Sequence, residues 1–134
     1  MGKIEYFKSQ AKKLYKDYQT KVLTDDGIYS YSPKYFDDVD GIIVDFDIDE
    51  ESFTLMKAQH IIALLSGFNS WKELIHASQS KLELGQLLLS KRNDFNSPLV
   101  EDWEMYKVHL PKDLRDDDEN LLLIFKKVFL GLDE

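Results

Sequence analysis

Hydrophobic side chains recur every three or four residues over the first eighteen positions of the chain. Ile4, Phe7, Ala11 and Leu14 fall on one face of a helix, because an α-helix completes a turn in 3.6 residues. Most lysines in this stretch occupy the opposite face. The pattern predicts an amphipathic helix from Gly2 to about Tyr18.

A second apolar segment runs from Phe53 to about Ser66. Its hydrophobic residues extend almost all the way round a helical projection, which is typical of a buried helix. Gly67 follows as a left-handed C-terminal stop. Ser70 and Glu73 then form a capping-box pattern that begins a third helix at Trp71.

The remaining sequence also has helical periodicity. The third helix is expected to run to about Ser78 and a fourth to cover Lys81 to Lys91, with Gly85 as a weak point that costs about 1 kcal/mol relative to alanine. A fifth helix is expected from Pro98, with Ser97 as its N-cap, to about Val108. A last helix opens at Asp116–Glu119 and ends at Gly131.

Residues 20–52 interrupt this helical pattern. From Val44 to Asp49 apolar and acidic residues alternate with period two, which is typical of a strand with one buried face. We therefore predict a short acidic β-hairpin in which this strand pairs with Ile28–Tyr31. An ordered loop that packs on the helices through its aromatic side chains fits nearly as well.

These patterns together predict a mainly α fold. We expect a compact bundle of about six helices, with the short acidic β-hairpin or loop inserted after the first helix. The chain is interpreted as a single domain over residues 1–134. Residues 1–78 form a helical unit that carries the insertion at 20–52, and residues 79–134 add the C-terminal helices.

Charge and composition narrow the function classes. The chain has 17 Lys and Arg against 25 Asp and Glu, which gives a net charge of −8, so direct nucleic-acid binding is not expected. The lysines near the start (Lys8, Lys12, Lys13 and Lys16) are interpreted as the solvated face of the first helix. The absence of cysteine excludes disulfides, thiolate metal sites and cysteine nucleophiles.

The sequence gives no reason to expect a membrane protein. No apolar run approaches the roughly 20 residues that span a bilayer, and the N-terminal residues lack the apolar core of a signal peptide. We therefore expect a soluble protein located in the cytoplasm.

The acidic run after Tyr35 raises the question of a calcium site. With Gly41 at the sixth position of an EF-hand loop, Phe36 falls on the first ligand position and Asp47 on the twelfth, where a glutamate is required. The first and last ligands are therefore wrong, and we predict no metal site.

The histidines do not form a ligand set either. His60, His76 and His109 contain no pair spaced four residues apart, and His60 is interpreted as a hydrogen-bonded histidine within a buried helix. No nucleophile, phosphate-loop or dinucleotide motif occurs. The prediction is a protein without enzymatic activity and without a cofactor, with a small-ligand or catalytic site near His60 and His76 as an alternative.

Three short stretches, at residues 7–14, 58–63 and 67–74, together carry the pattern QAKxL…AQHIIA…GFxSWxEL. This pattern resembles a helical unit of small bacterial proteins of unknown function, found also beside ankyrin-repeat and glyoxalase-superfamily-related proteins on mobile elements. The resemblance implies a small helical accessory protein, and it implies no catalytic residues.

The function expected from these observations is partner binding through the acidic, aromatic insertion, since aromatic anchors within a charged rim are common at protein interfaces. The candidate binding residues are Tyr29, Tyr31, Tyr35, Phe36, Asp45, Asp47, Asp49, Glu50 and Glu51. The expected partner is a protein with a basic surface, and the chain is interpreted as an antitoxin-like or immunity-like bacterial accessory protein. The alternative is a phage or mobile-element inhibitor that mimics nucleic acid, which would require a row of carboxylates at phosphate-like intervals. The sequence does not indicate an oligomeric state.

Overall fold

The computed structural model describes residues 2–94 and 98–132, the side chain of Asp94 excepted. Within these residues the chain forms eight α-helices and one two-stranded antiparallel sheet. In chain order the elements are α1 Lys3–Tyr18, β1 Val22–Leu23, β2 Tyr29–Ser30, α2 Val39–Asp45, α3 Leu55–Leu65, α4 Trp71–Ile75, α5 Gln79–Lys91, a single 3-10 turn Arg92–Asp94, α6 Leu99–Lys107, α7 Lys112–Arg115 and α8 Asp118–Phe129. The predicted class, mainly α with a hairpin after the first helix, is confirmed.

The residues cluster into two compact units, which are described separately. The N-unit comprises Glu5–Ile62, and the C-unit comprises Gly2–Ile4 together with the described residues from Ala63 onwards. The interpretation of residues 1–134 as one domain stays a prediction.

Helix α1 buries the face that the sequence predicts. Phe7, Ala11 and Leu14 have almost no exposed surface, and they lie three and four residues apart on one side of the helix. The other buried hydrophobic side chains of the N-unit are Tyr18, Phe36, Val39, Ile42, Ile43, Phe53, Ala58, Ile61 and Ile62.

The predicted strand at Val44–Asp49 is wrong, because Val39–Asp45 is helix α2. Val39, Ile42 and Ile43 have helical spacing and are all buried, so they form one apolar face of a helix. The alternation that begins at Val44 covers only the last turn and the residues beyond it. The three apolar residues with helical spacing are the ones buried in the core, so this segment forms a helix and not a strand.

The sheet is a hairpin between β1 and β2, in which Val22 pairs with Ser30 and Leu23 pairs with Tyr29. The predicted strand near Ile28–Tyr31 is therefore present, but its partner is the segment directly before it. The connecting turn closes through a hydrogen bond from the Gly27 N–H to the Thr24 carbonyl at 3.0 Å. Gly27 has a φ of 82°, a left-handed conformation that glycine adopts without steric cost.

A buried carboxylate joins α1 to the chain that follows the hairpin. Asp17, only 1% exposed, accepts hydrogen bonds from the backbone N–H groups of Lys34, Tyr35 and Phe36 at 2.9, 2.9 and 2.5 Å. Charged acceptors make stronger hydrogen bonds than neutral ones, and three donors satisfy a carboxylate that burial would otherwise destabilise. Asp17 therefore fixes the loop that leads into α2.

The helix starts in the C-unit largely follow the predicted capping chemistry. Ser70 Oγ accepts the Glu73 N–H at 3.1 Å, which confirms Ser70 as the N-cap of α4. Asp117 caps α8 by accepting backbone N–H groups of the first turn, one residue beyond the predicted start. The predicted N-cap Ser97 lies outside the described residues, and Pro98 occupies the N-cap position of α6.

The C-unit core is built around Trp103, whose ring meets Phe125 edge-on at 5.1 Å between centroids. The buried members of this core are Leu84, Leu88, Leu99, Trp103, Leu121, Leu122 and Phe125. Helices α5, α6 and α8 therefore share one hydrophobic cluster. The short helix α7, which the sequence analysis did not predict, has no buried residue.

Gly85 allows a close approach inside the C-unit. A Cβ atom at this position would lie 2.7 Å from Cε2 of Phe68 and 3.1 Å from the carbonyl oxygen of Ser66. Both distances are shorter than ordinary van der Waals contact, and Phe68 is itself buried. The glycine that weakens α5 locally is thus required by the packing.

Substitution of Asp17 by alanine leaves three backbone donors without their acceptor. We expect the free energy of unfolding to fall by about 3 kcal/mol, because unsatisfied buried polar groups and lost charged hydrogen bonds each cost about 1–3 kcal/mol. Urea unfolding followed by circular dichroism measures the loss. The exposed Asp113→Asn variant is the control and should unfold like the parent; equal midpoints for Asp17→Ala and Asp113→Asn would contradict the role of Asp17.

Two glycine substitutions should have opposite effects on stability. Gly85→Ala should destabilise the protein by about 1–3 kcal/mol, because the added methyl group overpacks the contact with Phe68. Gly41→Ala, in helix α2, should stabilise it by about 1 kcal/mol, because no atom lies within 4 Å of the added Cβ and alanine favours the helix. Urea midpoints measure both effects, and a stabilising Gly85→Ala would show that the contact is not tight.

Candidate functional site

The net charge of the chain is concentrated in one segment of the N-unit. Eight carboxylates lie between Asp37 and Glu51, and no basic residue occurs between Tyr35 and Met56. The other 17 acidic side chains of the protein are matched in number by its 17 Lys and Arg side chains. Residues 37–51 therefore account for the whole formal charge of −8.

Helix α2 displays part of this charge on one side. Its buried side carries Val39, Ile42 and Ile43, whereas Asp40, Val44 and Asp45 are exposed. At 100° per residue the exposed residues lie opposite the buried ones. We use the name acidic face for the exposed side of α2 and its flanks, which comprises Asp37, Asp40, Val44, Asp45 and Asp47.

Val44 is the unusual member of the acidic face. Its side chain is 77% exposed and lies one helical turn from Asp40, beside Asp45. A single exposed apolar residue is ordinary on a protein surface. An exposed valine surrounded by carboxylates provides an apolar contact point with a charged rim.

Phe36 does not belong to any exposed surface, so its prediction as a binding residue is wrong. Its side chain is 3% exposed, and its N–H donates to Asp17. The aromatic residue beside a run of aspartates resembles a surface anchor in sequence. The hydrogen bonds to Asp17 hold its backbone at a point where the ring is buried.

Two of the predicted tyrosines are hydrogen-bonded to two of the predicted carboxylates. The Tyr29 hydroxyl donates to Glu51 Oε1 at 2.8 Å, and the Tyr31 hydroxyl donates to Glu50 Oε2. Burial, followed by the hydrogen bond to Glu50, raises the pKa of Tyr31 well above its usual range. The hydrogen bond to Glu51 raises the pKa of Tyr29. These four side chains tie the β-hairpin to residues 50 and 51.

Lys21 completes this connection, although nothing in the sequence pattern indicates it. Its Nζ donates to the Glu50 carbonyl oxygen at 2.5 Å and to the Tyr18 hydroxyl oxygen at 2.7 Å. The same ammonium group lies 4.6 Å from the ring centroids of both Tyr18 and Tyr29, within the range of cation–π attraction. The hydrogen bond with Tyr18 raises the pKa of Lys21. A lone lysine after a helix gives no sequence signal for such a role.

Asp49 has a local structural role. Its carboxylate accepts the Glu51 N–H and the Ser52 hydroxyl, both at 3.0 Å. These hydrogen bonds, the one from Glu51 first, lower the pKa of Asp49. The residue shapes the turn before α3 and is still exposed.

Tyr35 lies among lysines. Its ring is 42% exposed, with Lys13 Nζ at 5.3 Å and Lys34 Nζ at 5.5 Å from its centroid. Its N–H donates to Asp17. The ring of Tyr35, which was predicted as a binding residue together with the acidic side chains, therefore lies against two lysines.

The three histidines are all exposed. His60 is exposed, so its interpretation as a core histidine is wrong: α3 buries Ala58, Ile61 and Ile62 on a face that does not include it. His76 ends α4 and is also exposed. Residues 2–94 and 98–132 contain no group of three or more side chains that could hold a metal ion.

The C-unit contains a small cleft of about 30 Å³. Buried side chains such as Phe68, Leu88 and Trp103 line it, and Lys81 and Lys107 lie at its polar part. Each of these lysines is paired with a glutamate: Lys81 with Glu73 at 3.4 Å and Lys107 with Glu104 at 2.6 Å. A space of this volume holds only one or a few water molecules.

No family model, curated protein or solved structure matches this chain. The resemblance of residues 7–14, 58–63 and 67–74 to a bacterial helical unit therefore stays a prediction. None of the helices within residues 2–94 and 98–132 combines the length and hydrophobicity needed to cross a membrane.

The N-unit should lose stability in alkaline solution. The pKa values of Tyr29, Tyr31 and Lys21 are raised in the folded state, so the folded protein holds protons that the unfolded chain releases above about pH 10. The stability that these groups contribute is complete below that pH and is lost as the pH rises towards their folded pKa values. Urea midpoints between about pH 8 and pH 11 measure this loss.

Tyr31→Phe is the matched variant for the alkaline effect, because it removes one hydroxyl and keeps the ring. Its unfolding free energy should fall less steeply above pH 10 than that of the parent. The exposed Leu123→Ala variant, in the C-unit, removes no titrating group and should leave the slope as it is. Identical slopes for the parent and Tyr31→Phe would show that Tyr31 does not titrate abnormally.

Proposed function

We propose that the chain is a non-enzymatic protein-binding module whose contact surface is the acidic face of α2. The partner is a protein with a complementary basic surface. The observation that carries the proposal is the exposure of Val44 among Asp37, Asp40, Asp45 and Asp47, on a helix whose opposite side is fixed in the core.

The chemistry of this surface suits protein association. A desolvated apolar contact supplies affinity, while the surrounding charges supply orientation and rate. With the whole net charge located in one segment, the field near that segment attracts a basic partner and accelerates encounter. The association should therefore weaken as salt increases.

The acidic face is also held in place before any partner arrives. Asp17 fixes residues 34–36 ahead of α2, and Lys21 holds the carbonyl of Glu50 behind it. A surface that is already ordered loses little conformational entropy on binding. This rigidity supports a binding role for a segment whose charge would otherwise favour an extended, mobile chain.

Mimicry of nucleic acid is less well supported. Helix α2 has seven residues and is about 10 Å long, so it offers only a short row of charges. A continuous row of carboxylates along α2 would need one at position 44, one helical turn after Asp40. That position is occupied by Val44. This arrangement favours a protein partner with an apolar contact of its own, in keeping with an antitoxin-like or immunity-like accessory protein.

A photo-crosslinking residue tests the contact directly. With p-benzoylphenylalanine in place of Val44, irradiation in cells of the encoding organism should produce a defined covalent adduct. The same residue in place of the exposed Val128, in α8, is the control. Adducts from Val128 and none from Val44 would place the contact elsewhere.

The electrostatic contribution to binding is tested by removing charges from the acidic face and measuring the affinity for the purified partner. The triple variant Asp40→Asn, Asp45→Asn and Asp47→Asn should weaken binding at least about tenfold and reduce its salt dependence. The triple variant Asp26→Asn, Glu101→Gln and Asp113→Asn changes the net charge equally at exposed positions outside the face, and it should bind like the parent. Equal affinities for the two triple variants would contradict the proposal.

A further inference from the structure

Helix α1 carries a basic surface on the side opposite its buried face. Lys12 and Lys16 are exposed one helical turn apart, and Lys13 is half-buried beside them. Lys34 approaches the same tyrosine ring as Lys13, that of Tyr35. We use the name basic face for Lys12, Lys13, Lys16, Lys34 and Tyr35.

The basic face has no exposed carboxylate of α1 close to it. Asp17 is buried and already accepts three backbone N–H groups, so it is not available to pair with the lysines. Glu5 is exposed and pairs with Lys8 at 3.6 Å, near the other end of the helix. Lys12, Lys16 and Lys34 are exposed, so they present their charge to solvent.

We propose that the basic face binds the acidic face of a second copy of this chain. The inference rests on the proposed function, for which it names the partner. Four lysines with a half-exposed tyrosine ring stand on one face, and four aspartates with an exposed valine stand on the other. Charge and apolar content are thus complementary within a single sequence.

Because the contact joins two different surfaces, it can produce two kinds of assembly. Two copies that exchange both contacts form a closed pair, whereas copies that exchange one contact each form an open chain. In either case opposite charges meet at short range within the contact, whereas the remaining charges of two chains of charge −8 repel one another over longer distances, which salt screens first.

A nucleic acid is a less suitable occupant of the basic face. The phosphate backbone extends well beyond four lysines, and its adjacent charges would meet a protein whose net charge is negative. The acidic face of a second copy carries four carboxylates, as many as the basic face has lysines.

Sedimentation velocity over a concentration series tests self-association of the full chain. At about 50 mM NaCl the parent should show a concentration-dependent increase in sedimentation coefficient, and at about 500 mM NaCl it should sediment as a monomer. The variants Lys12→Glu/Lys16→Glu and Asp40→Lys/Asp45→Lys should each be monomeric at both salt concentrations, with at least about tenfold weaker association.

A mixture of the two charge-reversed variants gives the strongest test of the proposed contact. Each variant lacks one half of the original contact, but the altered faces are complementary to one another, so the mixture should associate at low salt where neither variant does alone. Lys72→Glu/Lys91→Glu changes the charge equally at exposed sites of the C-unit and should associate like the parent. Circular dichroism confirms that each variant is folded.

Three results would overturn the inference. The parent could remain monomeric at every concentration, Lys12→Glu/Lys16→Glu could associate like the parent, or the mixture could fail to associate. If these occur while Val44 still crosslinks to another protein, the proposed function stands and only the identity of the partner is wrong. Binding of a single-stranded oligonucleotide that is lost in Lys12→Glu/Lys16→Glu, without self-association, would assign the basic face to nucleic acid instead.

Discussion

The N-unit depends on one buried carboxylate. Asp17 lies in the last turn of α1, where the helix dipole disfavours a negative charge, and it is removed from solvent. Such a group is tolerated only because three consecutive N–H groups, from Lys34 to Phe36, point at it. The interaction determines where the chain returns to α1 after the hairpin, and therefore where Phe36 is buried and where α2 begins.

Lys21, which is positively charged, holds the other end of the same segment. Asp17 accepts from backbone N–H groups ahead of α2, and Lys21 donates to the backbone carbonyl of Glu50 behind it. The rings of Tyr18 and Tyr29 lie within cation–π distance of its ammonium group. The end of α1 and the residue shortly after it thus hold both flanks of the acidic segment, which would otherwise repel itself into an extended chain.

This anchoring explains how a strongly charged segment can be an ordered surface. The carboxylates of Asp49 and Glu50 and the backbone around them are used internally, while the aspartates of the acidic face remain exposed. Asp49 and Glu50 therefore stabilise the segment, whereas the aspartates of the acidic face are accessible to a partner. Tyr35 lies instead beside Lys13 of α1 and Lys34, so the N-unit carries two surfaces of opposite charge.

The sequence by itself determined the elements whose causes are local. The amphipathic period of α1, the Ser70 cap of α4 and the left-handed glycine after α3 are all specified by residues within a few positions of one another. The tertiary structure decided the rest. Residues 39–48 contain both a helical and a strand period, and the burial of Ile42 and Ile43 selected the helix. Asp17 and Lys21 gave no signal because their backbone partners lie 17 to 29 residues away. A single polar residue in a helical pattern does not indicate whether it will face water or a distant backbone. Residue spacing encodes short-range periodicity, whereas the choice between solvent and core for a polar or aromatic side chain depends on which distant groups the folded chain brings to it.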